Sequence, residues 1–254
     1  MHFKSDFLYW ESDFYVFFGK RIMQLFFHEN IQTSWEQLKL KEAPEIIRQL
    51  RKVLRASAGY LFCVQNGDKR REVELVNRTD KEINAKILKE QSKPRLSSPT
   101  AMLIALPNKQ DKLELIVQKL TEIWIQNLFL WASERSVVKS FSPNKQDRLH
   151  KIIQEALEQS RGWEMPKIQF ITDLKELCEK YQLCIFDLKE NSNGKIKNIN
   201  KPLLWVIGPE GGLTDKDYEQ FGNEWCGINL GEQVLRMETA AIIWSWLIKQ
   251  GKLN

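Results

Sequence analysis

A chain of 254 residues with 43% hydrophobic and 28% charged residues suits one large domain or two small ones with sizeable cores. No apolar run reaches the roughly 18–20 residues of a membrane span, and the aromatic N-terminus, broken by Asp6, Glu11 and Asp13, lacks the pattern of a signal peptide. The net charge of +5 is uneven: residues 1–98 carry 18 Lys and Arg against 13 Asp and Glu, and the remainder carries 20 of each. A basic module joined to a neutral one fits an anionic partner held by the first and chemistry in the second. Four cysteines without a CxxC pair and only three histidines argue against a metal site and for free thiols in a reducing cytoplasm.

In chain order, the first predicted element is a helix over Glu45–Leu54, with Ile46, Ile47, Leu50, Val53 and Leu54 on one face. Leu61–Gln65, Arg71–Val76 and Ile83–Leu88 read as short strands, with Asn66-Gly67-Asp68 turning between the first two. Lys69-Arg70-Arg71 reads as a solvated hairpin end. The stretch 92–99, rich in proline, serine and charge, is the linker candidate. Residues 23–91 thus form a small β-rich domain with one helix.

Beyond the linker, strands alternate with helices. Ala101–Leu106, Leu128–Trp131, Ile168–Ile171, Leu183–Phe186, Leu203–Ile207 and Cys226–Leu230 are predicted strands. Gln110–Trp124, Lys145–Gln159, Asp173–Tyr181 and a last segment from Glu238 through Ile248 are predicted helices. Such alternation over 100–254 predicts an α/β domain built on a mainly parallel sheet with helices on both faces. Ligands on these sheets bind beyond the carboxyl ends of strands, where Gly208 and Gly231 both fall.

Gly208-Pro209-Glu210-Gly211-Gly212 is neither a Walker loop nor a GxGxxG turn. Pro209 stiffens the turn, and Gly211 and Gly212 let backbone approach a ligand. The same residues also suit an ordinary tight turn ahead of a helix capped by Thr214.

Together, Gly208–Leu213 (GPEGGL) and Leu230–Ala240 (LGxxVLRxETA) resemble the signature of the SPOUT class of methyltransferases. The match is to the RsmE family, which methylates N3 of a uridine in 16S ribosomal RNA. Upstream, Val117–Ile123 resembles the family's Lys-x-x-Glu helix, and Ser133-Glu134-Arg135-Ser136 its SERS element. Arg148 and the run from Glu155 to Ile168 resemble its next helix and turn, and Leu50–Arg55 the VLR segment of its PUA-like RNA-binding domain. The resemblance implies a PUA-like domain over 23–91 and a trefoil-knotted SPOUT domain over 100–254. It also implies S-adenosylmethionine as cofactor, 16S RNA of the small ribosomal subunit as partner, and a homodimer. Two features depart from the family. Trp124 stands where it usually has a small residue, and Met23 resembles its natural start, making residues 1–22 an extension or an early start codon.

Cofactor contacts implied by the resemblance come from Gly208, Pro209, Glu210, Gly211 and Gly212, and from Leu230, Gly231, Leu235 and Arg236. The stretch after Phe186, from Asp187 to Glu190, supplies another wall. Methyl transfer to N3 needs removal of a proton and stabilisation of the uridylate. Arg236 suits the second task as a planar fixed donor, and Glu238 or Glu210 the first. Glu238 also suits a purely structural role, complementing a helix N-terminus. Arg135, Arg148 and Arg161, with Arg48, Arg51, Lys52 and Arg55 in the first domain, are candidate RNA contacts. Trp205, Trp244 and Trp246 fit core or dimer packing. Two other activities remain open: ribose 2′-O methylation, disfavoured by Glu238-Thr239-Ala240, and RNA binding without catalysis, disfavoured by two intact glycine turns.

Overall fold

The computed structural model describes residues 23–94, 100–139, 142–186, 201–228 and 232–249. They belong to two compact units that divide between Lys93 and Pro94. The possible extension 1–22, most of the linker, Asp187–Glu190, Leu230 and Gly231 lie outside the described residues.

In the first unit, β1 (Leu25–Phe27), β2 (Ile31–Ser34), β3 (Gln37–Lys41), β4 (Leu61–Asn66), β5 (Lys69–Arg78) and β6 (Glu82–Ser92) form one sheet. Its order is β1-β4-β5-β6-β3-β2, antiparallel except where β1 runs parallel to β4. Leu38 and Leu40 of β3 point into a core with Phe62, Val64, Val73 and Ile83, the period-2 pattern of a half-buried strand. The β2–β3 hairpin escapes the sequence reading because Trp35-Glu36 forms its turn without glycine or asparagine. Trp35 takes the positive φ of 51° that those residues usually supply.

The predicted helix is present as α1 (Pro44–Arg48), with proline in its first turn, followed directly by a π-helical turn over Gln49–Val53. Ile46, Ile47 and Leu50 are buried, but the wider turn shifts the phase of the apolar face and leaves Val53 exposed. Strands β5 and β6 run longer than predicted because pairing extends to Lys69 opposite Ser92; Ser92 is strand, not linker. The Lys69-Arg70-Arg71 run is not a solvated end. Arg70 is buried with Nε and Nη2 donating to Gln65 Oε1 at 2.9 and 2.6 Å, and Arg71 is buried against Glu90 at 2.8 Å.

The second unit is the predicted parallel α/β structure. Strands β7 (Ala101–Ala105), β8 (Asn127–Trp131), β9 (Lys167–Ile171), β10 (Gln182–Phe186), β11 (Leu203–Ile207) and β12 (Trp225–Ile228) form one sheet. The order is β12-β10-β11-β7-β8-β9, and every pairing is parallel. All five residues of β7 are buried, as a strand covered on both faces requires. Helices α2 (Gln110–Glu122), α3 (Pro143–Ser160), α4 (Lys175–Lys180), α5 (Asp215–Phe221) and α6 (Met237–Lys249) complete the unit. Helix α2 packs on α3 and α6, and α4 on α5. At the end of β10, Phe186 stacks on Trp205 of β11 and Trp244 of α6, with centroids 6.0 and 4.8 Å away. No described helix is long and apolar enough to cross a membrane.

The departure at Trp124 has a backbone reason. Helix α2 ends in a Schellman arrangement: Trp124 N–H bonds Thr121 O and Ile125 N–H bonds Leu120 O, both at 3.0 Å. Trp124 occupies the left-handed position with φ 67°, which favours glycine. Its ring is covered by Lys249 Nζ, 4.2 Å from the centroid.

Candidate active site

A cleft of about 450 Å³ opens where β10 and β11 end, at the carboxyl side of the parallel sheet as expected. Phe186, Ile207 and Gly208 form the strand ends, and Pro209, Glu210, Gly212 and Leu213 the glycine turn. Gln233, Val234, Leu235, Arg236, Met237 and Ala240 form the approach to α6, and Lys112 reaches in from α2. Gly208, Pro209, Glu210, Gly212, Leu235 and Arg236, expected as cofactor contacts, all line this cleft. A larger groove of about 600 Å³ lies in the first unit, and a hollow of about 360 Å³ lies beside α4 and α5. Neither includes the Gly208–Gly212 turn or the approach to α6.

The turn is closed by Gly212 N–H bonding Pro209 O at 2.9 Å. Gly212 has φ 75°, and a Cβ on Gly208 would sit 3.0 Å from Leu213 Cγ. Gly211 differs from the expectation of a ligand-facing backbone. It does not line the cleft, and a Cβ there would meet Arg135 Cδ at 3.2 Å. The space it spares is used by Arg135, whose Nη1 donates to Gly211 O. Arg135, expected to touch RNA, is therefore a strut for the turn.

The Ser133–Ser136 element supplies that strut from a built platform. Ser136 Oγ bonds Ser133 Oγ at 2.9 Å and Leu106 O at 2.8 Å. Glu134 N–H donates to Asp217 Oδ1 at 2.9 Å. Asp217 is fully buried, and its Oδ2 accepts from Thr214 N–H at 2.9 Å. Thr214 Oγ1 in turn accepts from Asp217 N–H, completing a capping box at the start of α5. One carboxylate thus joins the SERS turn to the segment that follows the glycine turn.

Charges at the rim are paired selectively. Glu210 Oε1 takes a hydrogen bond from Lys112 Nζ at 2.9 Å, and Oε2 takes one from Asn108 N–H at 3.3 Å. Burial pushes the Glu210 carboxyl up, but Lys112 and two backbone N–H groups outweigh it and hold it below the usual carboxylate range. The Glu210 carboxylate pushes the Lys112 ammonium up. Glu238, in the first turn of α6, lies 3.8 Å from Lys112 with its side chain 14% exposed. Its Oε2 is buried and has no hydrogen-bond partner among the described residues. Arg236 is exposed and, among the described residues, makes no side-chain hydrogen bond or ion pair.

Sequence reasoning missed Lys112. A signal was present: a lysine in the first turn of a helix opposes the macrodipole, so its position calls for a carboxylate partner. Of the other basic candidates, Arg148 is held by Glu114 at 2.5 and 2.8 Å, tying α3 to α2. Arg161 caps α3 in the left-handed conformation, φ 55°. Arg48 pairs with Glu45 at 2.5 Å and Arg51 with Asp80 at 2.6 Å, while Lys52 and Arg55 are exposed. Among the described residues no group of three His, Cys, Asp or Glu converges as metal ligands.

Comparison with known proteins places this geometry. Residues 95–249 match the model of a family described as an RNA methyltransferase domain. The chain is 30% identical over 233 residues to the ribosomal RNA small subunit methyltransferase E of Bacillus subtilis, covering 80% of this chain and 89% of that one. It is 29% identical over 194 residues to the protein of the same name from Rickettsia conorii, covering 67% and 77%. A crystal structure of the Neisseria gonorrhoeae enzyme of that name, bound to S-adenosyl methionine, shares the fold. Its TM-score is 0.74 at 22% identity, over 92% of this chain and 100% of that one.

Asp217→Ala strands two backbone N–H groups and breaks the capping box. The expected loss is about 3 kcal/mol of stability, read from denaturant unfolding of the whole chain. A change under about 0.5 kcal/mol would show that the Asp217 contacts are not what joins these turns.

Proposed function

The chain belongs to the RNA methyltransferase family that residues 95–249 match, and on that premise we propose that it methylates N3 of a uridine in 16S RNA of the small ribosomal subunit. The methyl donor is S-adenosylmethionine, and the work is cytoplasmic. One observation carries the reading: a glycine-rich turn and the exposed Arg236, which has no side-chain partner among the described residues, line one cleft at the carboxyl ends of the strands. The cleft volume falls in the range of small-molecule sites, and its glycine-lined wall suits a flat nucleoside.

Bound S-adenosylmethionine supplies an electrophilic methyl, whose C–S bond breaks as the N3–C bond forms, leaving the electron pair on sulfur. The protein's own residues handle the proton and the charge. Glu210 is committed to Lys112 and Asn108, and its lowered carboxyl makes it a poor proton acceptor. Glu238, adjacent in the chain to the cleft-lining Met237, is the remaining candidate to take the N3 proton and later return it to water. Arg236 donates to the uracil carbonyl oxygens as the uridylate charge spreads onto them. The glycine turn and the segment through Leu235 hold the cofactor; Leu230 and Gly231, which the resemblance also assigns to it, lie outside the described residues.

The same reading assigns the first unit to a PUA-like RNA-binding role, with exposed Lys52 and Arg55 and the weakly paired Arg48 and Arg51 as phosphate contacts. It assigns a trefoil knot to the C-terminal part of the second unit. The adjacency of β12, β10 and β11 supports that reading. It also assigns a homodimer. On α6, Ile243 and Trp246 are 43% and 50% exposed, an apolar pair three residues apart on one helix face that suits an interface between copies.

The primary test is methyl transfer from labelled S-adenosylmethionine to small subunits, stripped 16S RNA and transfer RNA, followed by nucleoside mass spectrometry. The expected product is 3-methyluridine on the small subunit. A methylated ribose moves the protein to 2′-O chemistry, and no product on any RNA, despite cofactor binding, leaves an RNA-binding factor. Arg236→Ala is expected to cut turnover at least about tenfold with cofactor affinity nearly intact; equal turnover removes Arg236 from the mechanism. Sedimentation equilibrium is expected to show a dimer that Trp246→Lys weakens, and a monomeric wild type at micromolar concentration would discard the interface on α6.

A further inference from the structure

The first unit carries a groove that methyl transfer does not use. It measures about 600 Å³ and is lined from four strands of the sheet. Register places two polar rows there, on the face opposite the core side chains Leu38, Leu40 and Ile83. Gln32, Lys39, Asn84 and Asn77 stand side by side on β2, β3, β6 and β5, and Ser34, Gln37 and Lys86 form the next row. Asn84 Nδ2 donates to Asn77 Oδ1 at 2.8 Å. A bulge between Leu75 and Asn77 leaves Val76, another lining residue, 53% exposed.

Between Ser34 and Glu36, both lining residues, stands Trp35. It is 98% exposed, and its φ of 51° is a strained conformation for a bulky residue. A glycine or asparagine would make the same turn with less strain, and an indole in water offsets none of it by packing. An aromatic ring held in solvent beside a polar groove is what stacking on an unpaired base needs. The charges of the groove narrow the partner further. Lys39 is paired with Glu82 at 2.9 Å, and Lys86 faces Glu36 at 3.7 Å. The lining is therefore close to neutral and makes a poor phosphate track. Its amides and hydroxyls instead match the donor and acceptor edges of bases.

We propose that this groove binds a short unpaired stretch of RNA, with Trp35 stacking on one base and the row from Gln32 to Asn77 hydrogen-bonding to base edges. The proposal rests on the RNA-directed function read from the cleft and deepens it, since it names the form of RNA that the first unit selects. Attraction to phosphate comes from the basic surplus of the unit, 14 Lys and Arg against 10 Asp and Glu over residues 23–93. It acts through side chains outside the groove, such as the exposed Lys52 and Arg55. Attraction and selection thus reside in different residues.

The experiment uses the full chain and fluorescein-labelled probes read by anisotropy: oligouridine and oligoadenosine of about twelve nucleotides, an RNA duplex of the same length, and intact small subunits. Trp35→Gly is the main variant because glycine suits the positive φ. Its melting temperature is expected within about 5 °C of wild type, so that lost binding is not lost folding. Affinity for both single strands is expected to fall at least about fivefold in Trp35→Gly, and Trp35→Phe recovers most of it. Affinity for the duplex stays unchanged. The slope of log Kd against log salt keeps its wild-type value in Trp35→Gly and shrinks by about 1 in Lys52→Ala. Asn84→Ala keeps the stack and narrows the difference between the two single strands.

Unchanged single-strand affinity in folded Trp35→Gly overturns the site. An equal loss on the duplex overturns the selection of unpaired RNA. A loss seen on intact small subunits but on neither single strand makes Trp35 a contact to protein in that particle, which also overturns the proposal. Methyl transfer to the small subunit is measured in parallel. A wild type that methylates it while Trp35→Gly leaves single-strand binding unchanged keeps the function and removes the groove. A wild type that holds single strands through Trp35 and methylates no RNA overturns the function read from the cleft and keeps the groove.

Discussion

Everything at the cleft depends on a glycine-rich turn that its own Gly212–Pro209 backbone bond closes and that side-chain contacts tie to the rest of the unit. Glycines give the turn its shape, through the positive φ of Gly212 and the close approach of Gly208 to Leu213, but they also give it freedom that folding must remove. Three contacts remove it. Arg135 grips Gly211 O, while Lys112 and Asn108 grip the two oxygens of Glu210. Arg135 is itself anchored through the SERS turn, which hangs on the buried carboxylate of Asp217. The turn that walls the cleft is therefore tied to the packed body of the unit at three points, the kind of support that a preorganised site requires.

Helix α2 ties these contacts to the core. Its first turn carries Lys112, its middle buries Leu113, Ile116, Val117 and Leu120, and Glu114 clamps Arg148 on α3. Its end carries Trp124 in a conformation better suited to glycine. The strain there is offset by the lysine ammonium over the indole ring and by burial of the ring's apolar surface. Burial also depresses the Lys249 ammonium, as expected for a cation that takes an aromatic face in place of water. A bulky residue at a helix terminus thus becomes a clasp between α2 and the last turn of α6.

The sequence was most legible where burial on both faces leaves only one structural option. Strands such as Ala101–Ala105 and Leu203–Ile207 are unbroken apolar runs, and they stand in the parallel sheet almost where predicted. The β2–β3 hairpin was not legible, because its turn uses Trp35-Glu36 and its strands are short and half polar. Nor were the fates of the basic residues. Arg70, Arg71, Arg135 and Arg148 look alike in sequence, yet each is assigned to a partner brought from another strand, turn or helix. Charge counts describe a whole domain, while pairing is decided by tertiary neighbours that no local pattern encodes. The glycine turn was legible because its backbone demands are local; Lys112 was not, because its hydrogen-bond partner Glu210 lies 98 residues away.

The charge arrangement at the rim follows from what the reaction asks of it. A sulfonium donor brings positive charge and a deprotonated base brings negative charge, so a cleft strongly biased either way would bind one and repel the other. Lys112 and Arg236 against Glu210 and Glu238 leave the rim formally neutral. Within that neutral set the roles separate by pairing. Lys112 is hydrogen-bonded to Glu210 at 2.9 Å, Glu238 stands 3.8 Å from the same ammonium, and Arg236 is exposed. The tight pair is the one that carries the glycine turn, so the charge that Lys112 brings from α2 goes first to fixing Glu210.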